Sequence, residues 1–222
     1  MKGAKSFAGL AMFLVASACA IAEEKQAVAL KDDPCHKLVL ENEKVRVWEV
    51  NIPIGDDACP PHEHTIDMIS VRMNTTDITN VPASGLFRFR SDSHVEAGSM
   101  LFSEYDKSPY AHRIIPTGSL PHRVVEFELL TPPADARPRD ARPGFTTVFD
   151  KARARASRLV LQPSQSADIS TPANTLMVVV RGGPLSAKPL APADVQWFAQ
   201  ATQRTVRNDG KDPIEWVEIE VK

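Results

Sequence analysis

The chain has 222 residues, enough for one large domain or two small ones, and is 43% hydrophobic, as ordinary globular proteins are. Twenty-six Lys and Arg against 28 Asp and Glu leave a net charge of −2, so no basic surplus points to nucleic acid. Eighteen prolines against ten glycines interrupt every stretch before a long amphipathic helix can develop.

The leader, residues 1–22, reads as a signal peptide. Lys2 and Lys5 precede an apolar run from Phe7 to Val15, and Ala20-Ile21-Ala22 before Glu23 is a small-x-small cleavage signature. The run is too short for a spanning helix, and no other stretch predicts a transmembrane segment. The expectation is a periplasmic or secreted protein cleaved after Ala22, with lipid anchoring at Cys19 as the lesser alternative. Of the three cysteines, Cys35 and Cys59 remain after cleavage. In an oxidising compartment they read first as a disulfide. The rival reading makes Cys59, three residues before His62, a soft metal ligand.

Short alternating runs then predict strands: KLVLEN, KVRVWEVNI, DMISVRM, GLFRFRS, SMLFSE, HRIIP and RVVEFELL, separated by Gly, Pro, Asn and Asp. Residues 132–144, rich in Pro and Arg, read as a linker. Beyond it come ARASRLVLQP, TLMVVVRGG, DVQWFAQ, QRTVRND and IEWVEIEV. The two series align as a repeat. VRVWEVNIPIG (45–55) falls on ARASRLVLQPS (154–164), DMISVRM (67–73) on LMVVVRG (176–182), and RVVEFELL (123–130) resembles EWVEIEV (215–221). The expected organisation is a first domain at 23–131 and a related second domain at 145–222.

Two segments carry a family resemblance. ENEKVRVWEVNIPIGDDACPPHEHTIDMISV resembles the opening of small bacterial, quercetin dioxygenase-like cupins, in which a VRV-type strand and a glycine turn lead to Pro-x-His-x-His. EAGSMLFSEYDKSPYAHRIIPTGSLPHRVVEFELL looks like the second cupin motif, with His112 at its histidine. The resemblance implies an all-β bicupin of two tandem antiparallel jelly-roll barrels. It implies a divalent metal (Fe, Zn, Cu, Ni or Mn) on His62, His64 and His112, and a small-molecule ligand or substrate. Residues two apart on a strand share a face, so His62 and His64 can point into one cavity. The pattern departs from the family at the glutamate usual four or five residues after the second histidine, where Met68 and Ile69 stand. Met68 faces inward as barrel packing or a thioether ligand, and Asp67 faces the other way.

All six histidines (36, 62, 64, 94, 112 and 122) lie in the first half. Thr171, Ala173 and Gln203 replace the three ligands in the second, whose expected work is to cover a barrel face or to form a homodimer surface. His36 and His94 read as solvated and His122 as turned from the cavity. Arg153 and Arg155, alternating with alanines, read as a solvated strand face. Of Arg88 and Arg90, alternating with Phe87 and Phe89, one pair must face the interior. The two functions that fit are a metal-dependent oxygenase or isomerase and a non-catalytic binding or accessory protein. Asp67, Tyr105 or Tyr110 beside the metal would favour the enzyme.

Overall fold

The computed structural model describes residues 26–55, 58–83, 90–133, 135–186 and 188–222. The leader and its cleavage site, together with Phe87, Arg88 and Phe89, lie outside them. Among the described residues there is no α-helix, only a 3-10 turn at Leu30–Asp32.

The first half carries β1 (Val28–Ala29), β2 (His36–Glu41), β3 (Val45–Ile52), β4 (His62–His64), β5 (Met68–Arg72), β6 (Thr76–Pro82), β7 (Ser91–Val95), β8 (Met100–Ser103), β9 (Tyr110–Pro116) and β10 (His122–Leu129). They form two five-stranded sheets, ordered β1-β4-β9-β6-β7 and β2-β3-β10-β5-β8. The second half carries β11 (Thr146–Asp150), β12 (Ala154–Leu161), β13 (Ser166–Thr171), β14 (Thr175–Arg181), β15 (Val195–Phe198), β16 (Thr202–Arg207) and β17 (Ile214–Val221). Its large sheet runs β11-β12-β17-β14-β15, and β13 pairs β16 alone. The large sheets of the two halves thus have the same strand order. Each half is a sandwich of two sheets whose outer strands do not pair across to close a barrel, and the second has the smaller of its sheets reduced to two strands.

The repeat is visible in the register. Trp48 of β3 faces Glu126 of β10, and Ser157 of β12 faces Glu218 of β17, as the aligned sequences require. On the other side of the central strand the register slips by two. Ser70 opposes Glu126 whereas Met177 opposes Glu218, so the ungapped match of Met68 to Met177 is displaced by one inward position.

Strand alternation divides the β3-β10-β5 sheet into two faces. Val45, Val47, Ile69, Val71, Val125, Phe127 and Leu129 point outward, yet all are buried. They pack against Ala154, Ala156, Leu176, Val178, Val217, Ile219 and Val221 of the second half, so the two large sheets lie face to face in one continuous core. Polar contacts seal the edges of this seam. Arg153, just before β12, ion-pairs with Asp67 at 2.9 Å and with Asp106, and donates to the Leu129 and Thr131 carbonyls. Gly98 lies at φ +77°, a backbone conformation that favours glycine, and a Cβ there would push aside the Glu215 carboxylate 2.7 Å away.

Arg153 and Arg155 are therefore not on a solvated face. Arg155 is 2% exposed, and it donates to the Asp140 carbonyl and to Thr147 Oγ1. The alanines that alternate with them, Ala154 and Ala156, are fully buried in the seam. Residues 135–142 are docked as well: Arg139 pairs with Glu220 and Arg142 with Glu218.

Candidate metal centre

The site is built on the inner face of the first half, where β4 and β9 pair antiparallel. The register sets His62 directly opposite His112, and His64 opposite Tyr110. Because β4 alternates, His62 and His64 are buried and Glu63 between them is exposed. The three imidazoles converge. Their donor atoms lie within 4.8 Å of one another, and His64 Nε2 stands 3.0 Å from His112 Nε2. Two nitrogens bound cis to one ion at about 2.1 Å would be about 3.0 Å apart, so these residues fit a shared metal ion.

The surrounding groups fix which nitrogen each ring offers. His112 Nδ1 donates to Asn80 Oδ1 at 2.9 Å, leaving Nε2 for the cluster. His62 Nδ1 lies 2.8 Å from Asp33 Oδ2. His64 stacks on Tyr105 at 4.8 Å with 16° between the planes. Burial pulls the His64 pKa down to about 4 and puts that of His112 well below its usual value. Both rings are thus neutral at pH 7, the form that ligates a metal.

His36 behaves in the opposite way. It is buried, correcting the solvated reading, and its Nδ1 and Nε2 lie 3.0 Å from Asp33 and 3.5 Å from Glu126. Burial alone would lower its pKa, but the contacts with Asp33 and Glu126 outweigh it and push it up to about 9. Asp33, His36 and Glu126 therefore form a buried anion–cation–anion chain. Burial would raise the carboxylate pKa values of Glu126 and Asp33, but hydrogen bonding and charge from the histidines hold both below the ordinary range. The donor atoms of Asp33, His36 and His62 also cluster, but a protonated His36 cannot be a ligand. Asp33 also approaches Cys35 and Cys59, whose sulfurs are joined in a disulfide. The disulfide reading of the cysteines holds, and Cys59 as a soft ligand does not.

A cavity of about 200 Å³ adjoins the histidines, lined among others by His64, His112, Tyr105, Ser70, Arg72, His122 and Glu126. His122 is 3% exposed and faces this cavity, correcting its placement away from it. The reason is parity: His122, Val124 and Glu126 share the inward face of β10. Met68 is buried and lines the cavity, as its inward parity predicts, and Asp67 points away to Arg153. Of the expected solvated histidines only His94 is exposed, paired with Asp77 at 2.7 Å.

Solved structures share this architecture over most of the chain. Bacterial pirin YhhW from Escherichia coli, in complex with nickel(II), superposes with TM-score 0.53 at 12% identity, covering 84% of this chain and 90% of that one. AerE from Microcystis aeruginosa gives 0.51 at 8%, covering 86% and 98%. Salicylate 1,2-dioxygenase from Pseudoaminobacter salicylatoxidans, in adducts with gentisate, gives 0.52 at 8%, covering 80% and 68%. The fold is that of the cupins. No family model and no curated protein matches the sequence itself.

The second half has no counterpart of the centre among its described residues. Thr171 stands opposite Thr202, where His62 stands opposite His112, so Thr202 rather than Gln203 takes the third position. Its interior is filled by Leu159, Leu161, Ile169, Met177, Phe198 and Trp216. Glu218 lies among them, held by Thr171, Arg142, Arg204 and Trp216. The groove of about 490 Å³ over β13 and β16 is larger than the histidine cavity, but it is an open surface lined by Asp168, Ser170, Gln203 and Thr205 with no imidazole.

Asp33, His36, Asn80, Arg72, His122 and Glu126 were not among the sequence-predicted site residues. Inward parity on β10 was the available signal for Glu126 and His122. Asp33 and Asn80 lie in polar stretches with no pattern to mark them.

Proposed function

We propose that His62, His64 and His112 hold one divalent metal ion and that the protein is a metal-dependent enzyme acting on a small molecule, with oxygenase or isomerase chemistry the leading class. The observation that carries this reading is the 3.0 Å approach of His64 Nε2 to His112 Nε2 within a polar cavity. When bound, such an ion supplies Lewis-acid or redox chemistry at its open positions. YhhW's nickel(II) complex and the dioxygenase, similar in fold alone, support the placement by analogy.

The chain's own residues do the rest. Asn80 and Asp33 orient the His112 and His62 rings. Tyr105, whose pKa is raised by burial, keeps its phenolic proton and covers His64. Glu126 keeps its charge beside the protonated His36, so the two offset one another along the cavity wall. Met68 supplies no carboxylate, and Glu126 lies outside the 4.8 Å cluster, so the ion would rest on three neutral ligands and keep its full charge.

The second reading, a binding or accessory protein with a decayed site, is favoured by Met68 at the glutamate position and by the filled second half. The polar cavity weighs against it. The disulfide is consistent with an exported chain, in line with the leader's signal pattern and a periplasmic or secreted location. Among the described residues no helix is long and apolar enough to cross a membrane.

The test is elemental analysis of residues 23–222 purified without chelator or polyhistidine tag, beside His62→Ala and His112→Ala. Near-stoichiometric metal in the parent and its loss in both variants is the expected result. A parent that stays empty after reloading with each candidate ion would leave the binding-protein reading in its place.

A further inference from the structure

Arg72 ends β5 on the same inward face as Met68 and Ser70, and it lines the histidine cavity. Arg46, Arg142, Arg153, Arg158 and Arg204 each meet a carboxylate within 3.3 Å. Arg72 does not. Its described contact is a 3.3 Å bond from Nη1 to the Ser70 carbonyl, and no described carboxylate stands at ion-pair distance. Among the described residues the acid lining the cavity is Glu126, engaged by His36 at 3.5 Å and Ser70 Oγ at 3.4 Å. A guanidinium has five donors in a planar fork, and withdrawing it from water without a partner is costly.

A second observation points to the same spot. Val124 pairs with Arg72 across β10 and β5, so His122 follows two residues away on the same inward face. His122 is 3% exposed, and its Nδ1 has no hydrogen-bond partner. A cationic fork and an orphaned imidazole nitrogen thus converge on one end of a cavity whose other end holds His64 and His112. Between them an apolar strip of Met68, Ile78, Ile114 and Val124 runs beside the polar Ser70, Asn80 and Glu126. An outer groove of about 380 Å³ shares Arg72, Val95 and Leu101 with the cavity, which puts Arg72 beside the way in.

We infer that Arg72, with His122 beside it, anchors the carboxylate of a small organic acid whose short apolar body extends toward the three histidines. This deepens the metal-dependent reading and rests on it for the reaction at the far end. One fork and one imidazole match a monoanionic carboxylate, bound through two parallel N–H···O bonds. A phosphate dianion calls for more cations or a nest of backbone donors, and among the described residues Arg72 is the one Lys or Arg in the lining. At about 200 Å³ the space lies below the roughly 300–1,000 Å³ of drug-sized sites, so the acid is small. With a divalent ion in place, the charges of Asp33, Glu126, His36 and Arg72 cancel and the ion's own charge favours an anionic ligand.

Isothermal titration of residues 23–222 with benzoate, its neutral isostere benzamide and inorganic phosphate tests this, with metal content measured on each sample. The expected result is benzoate binding at least about tenfold tighter than benzamide or phosphate. Arg72→Met removes that preference with metal content unchanged and without a lower Tm, because it takes out a half-buried charge that has no described carboxylate partner. Arg72→Lys, which keeps the charge but not the fork, loses an intermediate part and carries the test should Arg72→Met fail to fold. Equal binding of benzoate and benzamide, tighter binding of phosphate, no measurable binding of either aromatic probe, or parental benzoate affinity in the Arg72 variants overturns the inference. A metal-free protein that still selects benzoate through Arg72 supports it and sinks the metal reading. A metal-loaded protein indifferent to benzoate does the reverse.

Discussion

Glu126 and Glu218 occupy the same place in two sheets of the same strand order, and their surroundings differ in kind. Glu126 is answered by an imidazole, His36, and the 14% of its side chain that stays accessible opens onto the cavity. Glu218 is fully buried and answered by Arg142 and Arg204. The first half compensates its inward carboxylate with a group that can release a proton, and it keeps space beside it. The second half compensates with guanidiniums, which do not titrate in a protein, and fills the space. One fold position therefore borders a polar cavity in one copy and forms a structural knot in the other.

Removing each glutamate is the hardest test of that contrast. Glu218→Ala strands two cations inside the second half and is expected to cost about 3–5 kcal/mol in denaturant unfolding. Glu126→Ala leaves His36 free to shed its proton and keep Asp33, so about 1–2 kcal/mol is expected. Equal losses would mean that the two glutamates are interchangeable structural acids.

Next in size is a pH effect confined to the first half. His36 rises from 6.5 to about 9 on folding, so its contribution is complete below pH 6.5 and is lost as pH rises through 9. The shift corresponds to about 3 kcal/mol. His64 and His122 fall from 6.5 to about 4. The unfolded chain therefore takes up protons first, and stability also drops as pH falls from 6.5 to 4. Urea midpoints of metal-free protein across pH 4–9.5 should form a dome, and His36→Gln should flatten its alkaline side. An unchanged alkaline limb in that variant would remove His36 as the cause.

The smallest expected effect joins the two halves. Arg153 holds Asp67, between His64 and β5, and Asp106, next to Tyr105. Arg153→Ala is expected to cost about 1–2 kcal/mol and to couple with Asp67→Ala by more than about 0.5 kcal/mol in a double-mutant cycle. Additive losses would show that the second half does not brace the histidine site.

Much of this was legible in the sequence because alternation is a strong signal where one face is apolar. KVRVWEVNI, DMISVRM and RVVEFELL gave β3, β5 and β10 nearly to the residue, and the same pattern exposed the repeat. The His-x-His motif and His112 met because the pairing of β4 with β9 sets them opposite. Strands with few apolar residues escaped: β6 reads TDITNVP, and its Asn80 is the partner of His112. The charged interior escaped for a related reason. His36, Arg72 and Arg155 carry residue types that usually face water, and only their partners across the sheet reveal that they do not. The second half's arginines misled in the same way, since alanine alternation is as consistent with a tight seam as with a solvated face.

The seam between the large sheets bears on how the molecule can be taken apart. Cut after residue 131, the first half would present Val45, Val47, Ile69, Val71, Val125, Phe127 and Leu129 as a bare apolar sheet, a surface far more prone to aggregate than to dissolve. The second copy can therefore lack every histidine and still be indispensable, because its outer face acts as a built-in chaperone for the half that holds the histidine cluster.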